Sequence, residues 1–153
     1  DWLNGQDDHV ENLNTYSIFI EGVDTVVMGW NTYHQIITEL SPKEWVYSGL
    51  ASYVITHRTP APAEQITFTQ ESPCSLVRRL KQEQGKAIWI CGGAAIIQPL
   101  ILEDLIDEYY ISIIPSILGD GIRLFGKMPA EMRLNLISTQ TYNGITELVY
   151  SRR

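Results

Sequence analysis

The chain contains few cysteines and no long apolar run, and both features restrict the class of protein to which it can belong. Its two cysteines, Cys74 and Cys91, match no metal-binding or redox spacing. The three histidines form no zinc-type pattern, and no apolar stretch approaches the roughly 18 residues that a membrane span needs. These absences predict a protein of the reducing cytoplasm with inert cysteines, without a metal site and without a membrane partner.

Basic residues are also scarce. Eleven lysines and arginines against 18 aspartates and glutamates give a net charge of −7, which repels a nucleic-acid backbone and leaves no basic stripe to bind one. Nucleic acid is therefore not an expected partner, and any anion site must be local. The length of 153 residues predicts a single domain over 1–153, large enough to bury a core of its own.

Apolar periodicity and turn residues predict alternating strands and helices. Helices are predicted over 8–20, 31–40, 73–85 and from 94 onward, and strands over 25–29, 52–56, 66–68, 87–91, 108–114, 134–139 and 145–150. The isoleucine-rich 108–114 run is typical of a central strand. Asn143 and Gly144 indicate a hairpin because both tolerate positive φ. The order predicts an α/β fold: a mixed, mostly parallel sheet with helices on both faces and a C-terminal antiparallel hairpin.

The segment 88–97 carries the strongest single signal. An apolar strand stops at Gly92 and Gly93, and the chain then resumes as a helix. Two glycines remove both Cβ atoms at the turn, so a phosphate can reach main-chain N–H groups at the positive end of the helix dipole. Taken alone, the pair also fits an ordinary tight turn.

Two other predicted strands end in small or polar residues. These ends are Gly29, Trp30, Asn31 and Thr32, and then Thr56, His57 and Arg58. The carboxyl ends of parallel strands form the usual ligand edge of an α/β sheet, and an arginine fork matches a phosphate monoester. Two phosphate cradles and a separate basic corner indicate a phosphorylated dinucleotide. A helix-start hydroxyl for Thr32 and a solvent-facing basic pair after the strand remain alternative interpretations.

These segments resemble the dihydrofolate reductase superfamily over nearly the whole chain. The resemblance rests on Val-Val-Met-Gly at 26–29 with Thr32, Val-Ile-Thr-His-Arg at 54–58 and Ile-Cys-Gly-Gly at 90–93. A second set is similar to the reductase domain of bifunctional riboflavin-biosynthesis enzymes and its stand-alone relatives: Leu-Ile-Asp-Glu-Tyr at 105–109, Pro115, Leu-Gly-Asp-Gly at 118–121 and Leu-Phe at 124–125. In that family a first strand precedes the point where this sequence begins, so we expect residues upstream of Asp1.

The resemblance implies an oxidoreductase that uses NADPH as hydride donor, and it assigns three groups of cofactor-binding residues. Gly29, Asn31 and Thr32 belong to a phosphate-facing turn. Thr56, His57 and Arg58 belong to the adenosine 2′-phosphate end. Gly92, Gly93, Ala94, Ala95 and Ile96 belong to the pyrophosphate and nicotinamide side. The resemblance also implies a cis peptide between Gly92 and Gly93.

The implied reaction is most like that of the 5-amino-6-(5-phosphoribosylamino)uracil reductase of riboflavin biosynthesis, with dihydrofolate reductase and a non-catalytic NADPH-binding module as alternatives. Two departures from folate reductases weigh against dihydrofolate. Trp30 replaces their basic residue, and residues 12–14 lack the carboxylate that supports pterin binding and protonation. The nearest acids are Asp8 and Glu11, so the catalytic residues stay unassigned. The apolar 111–117 stretch and family habit predict a homodimer.

Overall fold

The computed structural model describes Gln6 and residues 15–153, which form two compact units, one around residues 17–105 and the other around residues 106–153. The single domain predicted over 1–153 stays a prediction. Most of the predicted helix over 8–20 lies outside the described residues. The helix that is described there, α1, spans Thr15–Glu21.

The unit around residues 17–105 contains a parallel sheet of four strands in the order β3-β2-β1-β4. Its strands are β1 (Val23–Gly29), β2 (Ala51–Ile55), β3 (Ile66–Thr69) and β4 (Ala87–Gly92). Its helices after α1 are α2 (Trp30–Gln35), continued by a π-helical segment (Ile36–Leu40), then α3 (Pro73–Leu80) and α4 (Ala94–Leu102). All the strands that the sequence predicts in this unit are present.

Helices pack on both faces of this sheet because the side chains of β1 alternate between them. Val26 and Met28 point to one face and form a buried cluster with Tyr33 of α2. Val27 points to the other face and packs with Leu76 of α3. The central strand is therefore buried on both sides, and this confirms the predicted α/β arrangement with helices on both faces.

The start of α3 is as predicted, but its end is not. Ser72 Oγ accepts a hydrogen bond from the Ser75 N–H at 3.2 Å, and Pro73 takes the first helical position. The helix then ends at Leu80 instead of continuing to Gly85. Residues 81–86 are exposed and contain no apolar side chain, so extending the helix would bury nothing against the sheet.

The unit around residues 106–153 contains a separate antiparallel sheet in the order β5-β7-β6. Its strands are β5 (Glu108–Ile113), β6 (Leu134–Tyr142) and β7 (Ile145–Arg152). Asn143 has φ 47° and Gly144 has φ 75°, the two positive values of a type I′ turn. The predicted hairpin is confirmed, and the strands among the described residues form a parallel sheet and an antiparallel sheet.

The central position predicted for the 108–114 strand is wrong. Among the described strands, β5 is at the edge of its sheet and β7 occupies the centre. Tyr110 and Ile113 are 56% and 54% exposed. An apolar run indicates a strand, but it does not show whether the strand is covered on both faces, and here it is not.

Asp24 connects the beginning of β1 to the turn that precedes β4. Its Oδ2 accepts the Lys86 N–H at 2.5 Å, and its Oδ1 accepts the Thr25 hydroxyl at 2.9 Å. These two bonds, the one from Lys86 first, lower the pKa of the Asp24 carboxyl below its usual 3.8, against the opposing effect of burial. A depressed carboxyl pKa stabilises the folded state above the unfolded value and loses this effect as the pH falls through the folded value.

We expect Asp24→Asn to lower the free energy of unfolding at pH 7 by about 1 kcal/mol, because a neutral amide replaces a charged acceptor. Urea unfolding at pH 7 and at pH 3 measures the difference, which should be smaller at pH 3, because the stabilisation begins to be lost once the pH falls below the usual value of 3.8. Glu64→Gln, at an exposed carboxylate, is the control. An equal deficit at both pH values would contradict the ionic contribution.

Candidate functional site

The three predicted strand ends lie side by side at one edge of the parallel sheet. Gly29, the last residue of β1, pairs with Ile55 at the end of β2. Met28 pairs with Gly92 at the end of β4. α2 begins directly after β1, Thr56 follows β2, and α4 begins two residues after β4. The parallel topology therefore brings together segments that are far apart in the sequence.

The turn between β4 and α4 lies against the side chain of Thr32. Gly92 has φ +134°, a conformation open to glycine, and the peptide between Gly92 and Gly93 is cis, which confirms the implied geometry. A Cβ placed on Gly92 or Gly93 would lie 3.8 or 3.6 Å from Thr32 Oγ1. The Thr32 hydroxyl thus lies beside the two glycines. The first predicted strand end, at 29–32, is therefore in proximity to the third, at 92–96.

α2 and α4 both begin at this edge with glycine at the N-cap position. Gly29 and Gly93 supply no capping side chain, and none caps either helix in the described part of the chain. By contrast, α3, which begins four residues after the end of β3, is capped by a serine. Uncapped N–H groups at a helix start favour an anion. In α4 the first two N–H groups belong to Ala94 and Ala95, whereas the third, that of Ile96, donates to the Gly93 carbonyl at 2.9 Å.

Gly29 also permits close packing between the two helix starts. A Cβ at this position would lie 3.1 Å from Cγ1 of Ile96, which is closer than ordinary van der Waals contact. A residue with a Cβ would require the Ile96 side chain or the first turn of α4 to shift away from the end of β1. Gly29 and Ile96 therefore set the spacing between the two helix starts.

The basic corner after β2 is built on a buried threonine. Thr56 is 6% exposed, its N–H donates to the Thr69 carbonyl at 2.9 Å, and its Oγ1 accepts the Arg58 N–H at 3.0 Å. His57 and Arg58 are exposed. The threonine hydroxyl thus holds the backbone of the turn from which the two basic side chains project.

The guanidinium of Arg58 lies over an aromatic ring. Its Cζ is 5.4 Å from the ring centroid of Trp30, within the range of a cation–π contact. No ion pair in the part of the chain that the structure describes involves Arg58, whereas Arg78, Arg79 and Arg133 each pair with a glutamate. The hydrogen-bonding capacity of Arg58 toward oxygen acceptors is therefore available to a ligand.

A cleft of about 460 Å³ lies between Arg58 and the outer face of α2 with its π-helical continuation. Its lining residues are Trp30, Asn31, His34, Gln35, Glu39 and Arg58. The size is within the range of small-molecule sites. His34, Gln35 and Glu39 were not predicted from the sequence. His34 and Gln35 follow Trp30 and Asn31 by four residues, and Glu39 follows Gln35 by four, a spacing that places all five on one helical face.

Neither cysteine is poised as a nucleophile. Burial raises the pKa of the Cys74 thiol, and the neighbouring Glu103 raises it further. Burial also raises the pKa of Cys91, against a contact with the Tyr47 hydroxyl at 3.6 Å. The thiolate is the reactive form, so both thiols are inert near neutral pH, as predicted.

Some features of the site fall outside the described residues. Asp8, Glu11 and residues 12–14, where an acid was sought, are among them. Within Gln6 and 15–153, no group of three or more histidine, cysteine, aspartate or glutamate side chains is arranged to hold a metal ion. None of the helices described there is long and apolar enough to cross a membrane.

Comparison with known proteins identifies a family. Residues 11–148 match the model of the RibD C-terminal domain. The chain is 37% identical over 155 residues to "Uncharacterized protein YwjB" of Bacillus subtilis, covering 99% of this chain and 86% of that protein. It is also 37% identical over 71 residues to the riboflavin biosynthesis protein RibD of Haemophilus influenzae, which covers 46% of this chain and 19% of that protein.

Solved structures show the same fold. A putative riboflavin biosynthesis protein from Shewanella sp. PV-4 superimposes with a TM-score of 0.83 at 27% identity, covering 100% of this chain and 87% of that one. RibD of Acinetobacter baumannii has the same fold, with a TM-score of 0.65 at 18% identity over 86% of this chain and 47% of its own. The chain belongs to the RibD C-terminal domain family, a family of reductase domains with the dihydrofolate reductase-like fold.

Proposed function

We propose that the chain is an NADPH-dependent reductase that transfers a hydride to a small heterocyclic substrate of the 5-amino-6-(5-phosphoribosylamino)uracil type. The observation that carries the proposal is the meeting, at one sheet edge, of two uncapped helix starts and an arginine without an ion-pair partner among the described residues. Membership of the RibD C-terminal domain family supports the riboflavin type of substrate.

The residues at this edge fit a phosphorylated dinucleotide. Gly92 and Gly93 carry no Cβ, so an anion can approach the start of α4, where Ala94, Ala95 and Ile96 lie. Gly29, Asn31 and Thr32 offer a second helix start with a hydroxyl and an amide beside it. These two sets would hold the pyrophosphate, and the first would extend to the nicotinamide.

The corner after β2 would hold the adenosine 2′-phosphate. The Arg58 guanidinium is the group whose geometry fits a phosphate monoester, His57 lies next to it, and Thr56 fixes the turn. Bound NADPH would supply the hydride. The described residues supply binding and orientation, and the proton that accompanies the hydride has no assigned donor among them.

The proposal is tested by measuring NADPH binding calorimetrically and then NADPH oxidation with each candidate substrate. We expect binding, and oxidation with the phosphoribosylaminopyrimidine. Oxidation with dihydrofolate alone would instead favour the dihydrofolate reductase alternative, and binding without oxidation of NADPH would favour the non-catalytic module. No binding would contradict the cofactor itself.

We further propose that the protein is a homodimer. In the unit around residues 106–153, Ile117 is fully exposed at 101%, and Ile122 is 91% exposed. Ile113 and Leu136 on β5 and β6 are 54% and 57% exposed. Apolar surface of this kind favours a protein partner, and a second copy of the chain is the partner that we expect. Light scattering should give twice the monomer mass, and a monomer mass at all accessible concentrations would contradict the proposal.

A further inference from the structure

We propose that Trp30 is the positioning residue for Arg58 and that, by holding this guanidinium at the cleft, it sets the preference for NADPH over NADH. The inference rests on the proposed function and adds its specificity determinant. Trp30 stands at the position where folate reductases carry a basic side chain, so an aromatic ring occupies the position of a second cation.

The contact between the two side chains holds the arginine without using up its hydrogen bonds to oxygen. Arg58 Cζ lies 5.4 Å from the Trp30 ring centroid. The indole ring attracts the cation through its π face and presents no oxygen acceptor to it. A carboxylate could hold the arginine equally well, but it would compete with the phosphate for the same donors. An aromatic partner therefore suits an arginine that must bind an anionic ligand.

The indole itself is held in place by its neighbours. Trp30 is half-buried at the first position of α2 and packs against the core cluster on that face of the sheet. Its ring centroid lies 5.4 Å from that of Tyr33 and 6.5 Å from that of Phe68. Tyr33 is only 7% exposed. Moving the Trp30 ring would disrupt this packing, so it provides a fixed surface for Arg58.

The backbone of Arg58 is fixed from a second side. Its N–H donates to Thr56 Oγ1 at 3.0 Å, and the Thr56 N–H donates to the Thr69 carbonyl at 2.9 Å. The main chain of the arginine is thus tied to the strand end, while its guanidinium lies on the indole. A side chain that is already ordered loses less conformational freedom when it binds a ligand.

Among the described residues that line the cleft, one carries a carboxylate, and it does not pair with Arg58. This residue is Glu39, and its Oε2 accepts a hydrogen bond from Gln35 Nε2 at 3.4 Å. Among the described residues neither Glu39 nor any other carboxylate forms an ion pair with Arg58, whereas Arg78 and Glu103 do pair on the surface. Among the described residues, Arg58 therefore contacts the Trp30 ring, whereas the paired arginines contact a carboxylate.

The test compares two probes that differ only in the 2′-phosphate, adenosine 2′,5′-bisphosphate and adenosine 5′-monophosphate. Their dissociation constants are measured by calorimetry for the wild type, Trp30→Phe, Trp30→Met and Arg58→Ala. We expect the wild type to prefer the bisphosphate. Trp30→Met should reduce this preference about five- to tenfold, because both the cation–π contact and the pre-ordering of Arg58 are lost. The preference of Trp30→Phe for the bisphosphate should lie between that of the wild type and that of Trp30→Met.

A double variant, Trp30→Met with Arg58→Ala, shows whether Trp30 acts through Arg58. If it does, Trp30→Met causes no further loss of preference once Arg58 is absent. An equal loss with and without Arg58 would indicate a general structural effect and overturn the inference. Tyr53→Leu is the matched control, because it removes the ring of the other arginine–aromatic contact, 5.9 Å from Arg79 Cζ, and should leave the preference unchanged.

The outcomes separate this inference from the proposed function. An undiminished preference in Trp30→Phe and Trp30→Met, together with its loss in Arg58→Ala, would overturn the role of Trp30 and leave the NADPH site standing. A wild type without preference would overturn both. If circular dichroism shows that Trp30→Met does not fold, Trp30→Phe decides the question with the same probes.

Discussion

Arg58→Ala is expected to weaken NADPH binding about 100-fold and NADH binding less than twofold. The magnitude corresponds to the loss of charge-assisted hydrogen bonds from the guanidinium to a phosphate monoester that only NADPH carries. No carboxylate in the described residues neutralises Arg58, so removing it leaves no unpaired acid behind. Calorimetric titration with both cofactors measures the two dissociation constants directly.

Two further variants sharpen the Arg58 experiment. Arg58→Lys keeps the charge but loses the planar fork, so NADPH binding should lie between the wild type and the alanine variant. Arg133→Ala removes one positive charge at an exposed ion pair with Glu131, and it should change neither dissociation constant. Equal losses for NADPH and NADH in Arg58→Ala would remove the 2′-phosphate assignment.

Gly93→Ala is expected to weaken NADPH and NADH binding alike, by more than tenfold, with little loss of stability. Gly93 has φ −87° and ψ −172°, which any residue adopts. A Cβ there would lie 3.6 Å from Thr32 Oγ1, an ordinary contact. The protein should therefore fold, but a methyl group would stand where a phosphate has to approach the first N–H groups of α4.

Two other glycines provide the comparison for Gly93→Ala. Gly92 has φ +134°, so Gly92→Ala should lower the thermal midpoint through backbone strain before any effect on binding is considered. A Cβ at Gly121 would meet nothing within 4 Å, so Gly121→Ala should behave as the wild type in both measurements. Normal cofactor binding by Gly93→Ala would mean that the start of α4 does not hold the pyrophosphate.

Much of this edge could be predicted from the sequence because local signals marked each strand end. Gly29, Thr56 and Gly92 each close an apolar run with a small or polar residue. Once the strands alternate with helices, parallel pairing places such ends at one edge. The hairpin at Asn143 and Gly144 was predictable for the same reason, since two residues in sequence determine the turn.

What the sequence did not reveal depends on contacts between distant residues. No spacing rule connects Trp30 with Arg58, because their contact arises from the pairing of β1 with β2. The exposure of β5 depends on its place at the edge of its sheet, which its apolar composition does not encode. The early end of α3 at Leu80 depends on which side chains can be buried against the sheet. The strands that form this sheet lie outside the α3 segment.

The order β3-β2-β1-β4 also has a consequence for how the chain folds. β1 lies between β2 and β4, and β4 is reached only after α2, β2, β3 and α3 have been passed along the chain. Closing so long a loop costs more entropy than closing the two-residue turn between β6 and β7. The β6–β7 hairpin can therefore form early and independently, whereas the sheet edge that carries the proposed cofactor residues is completed only when β4 docks beside β1.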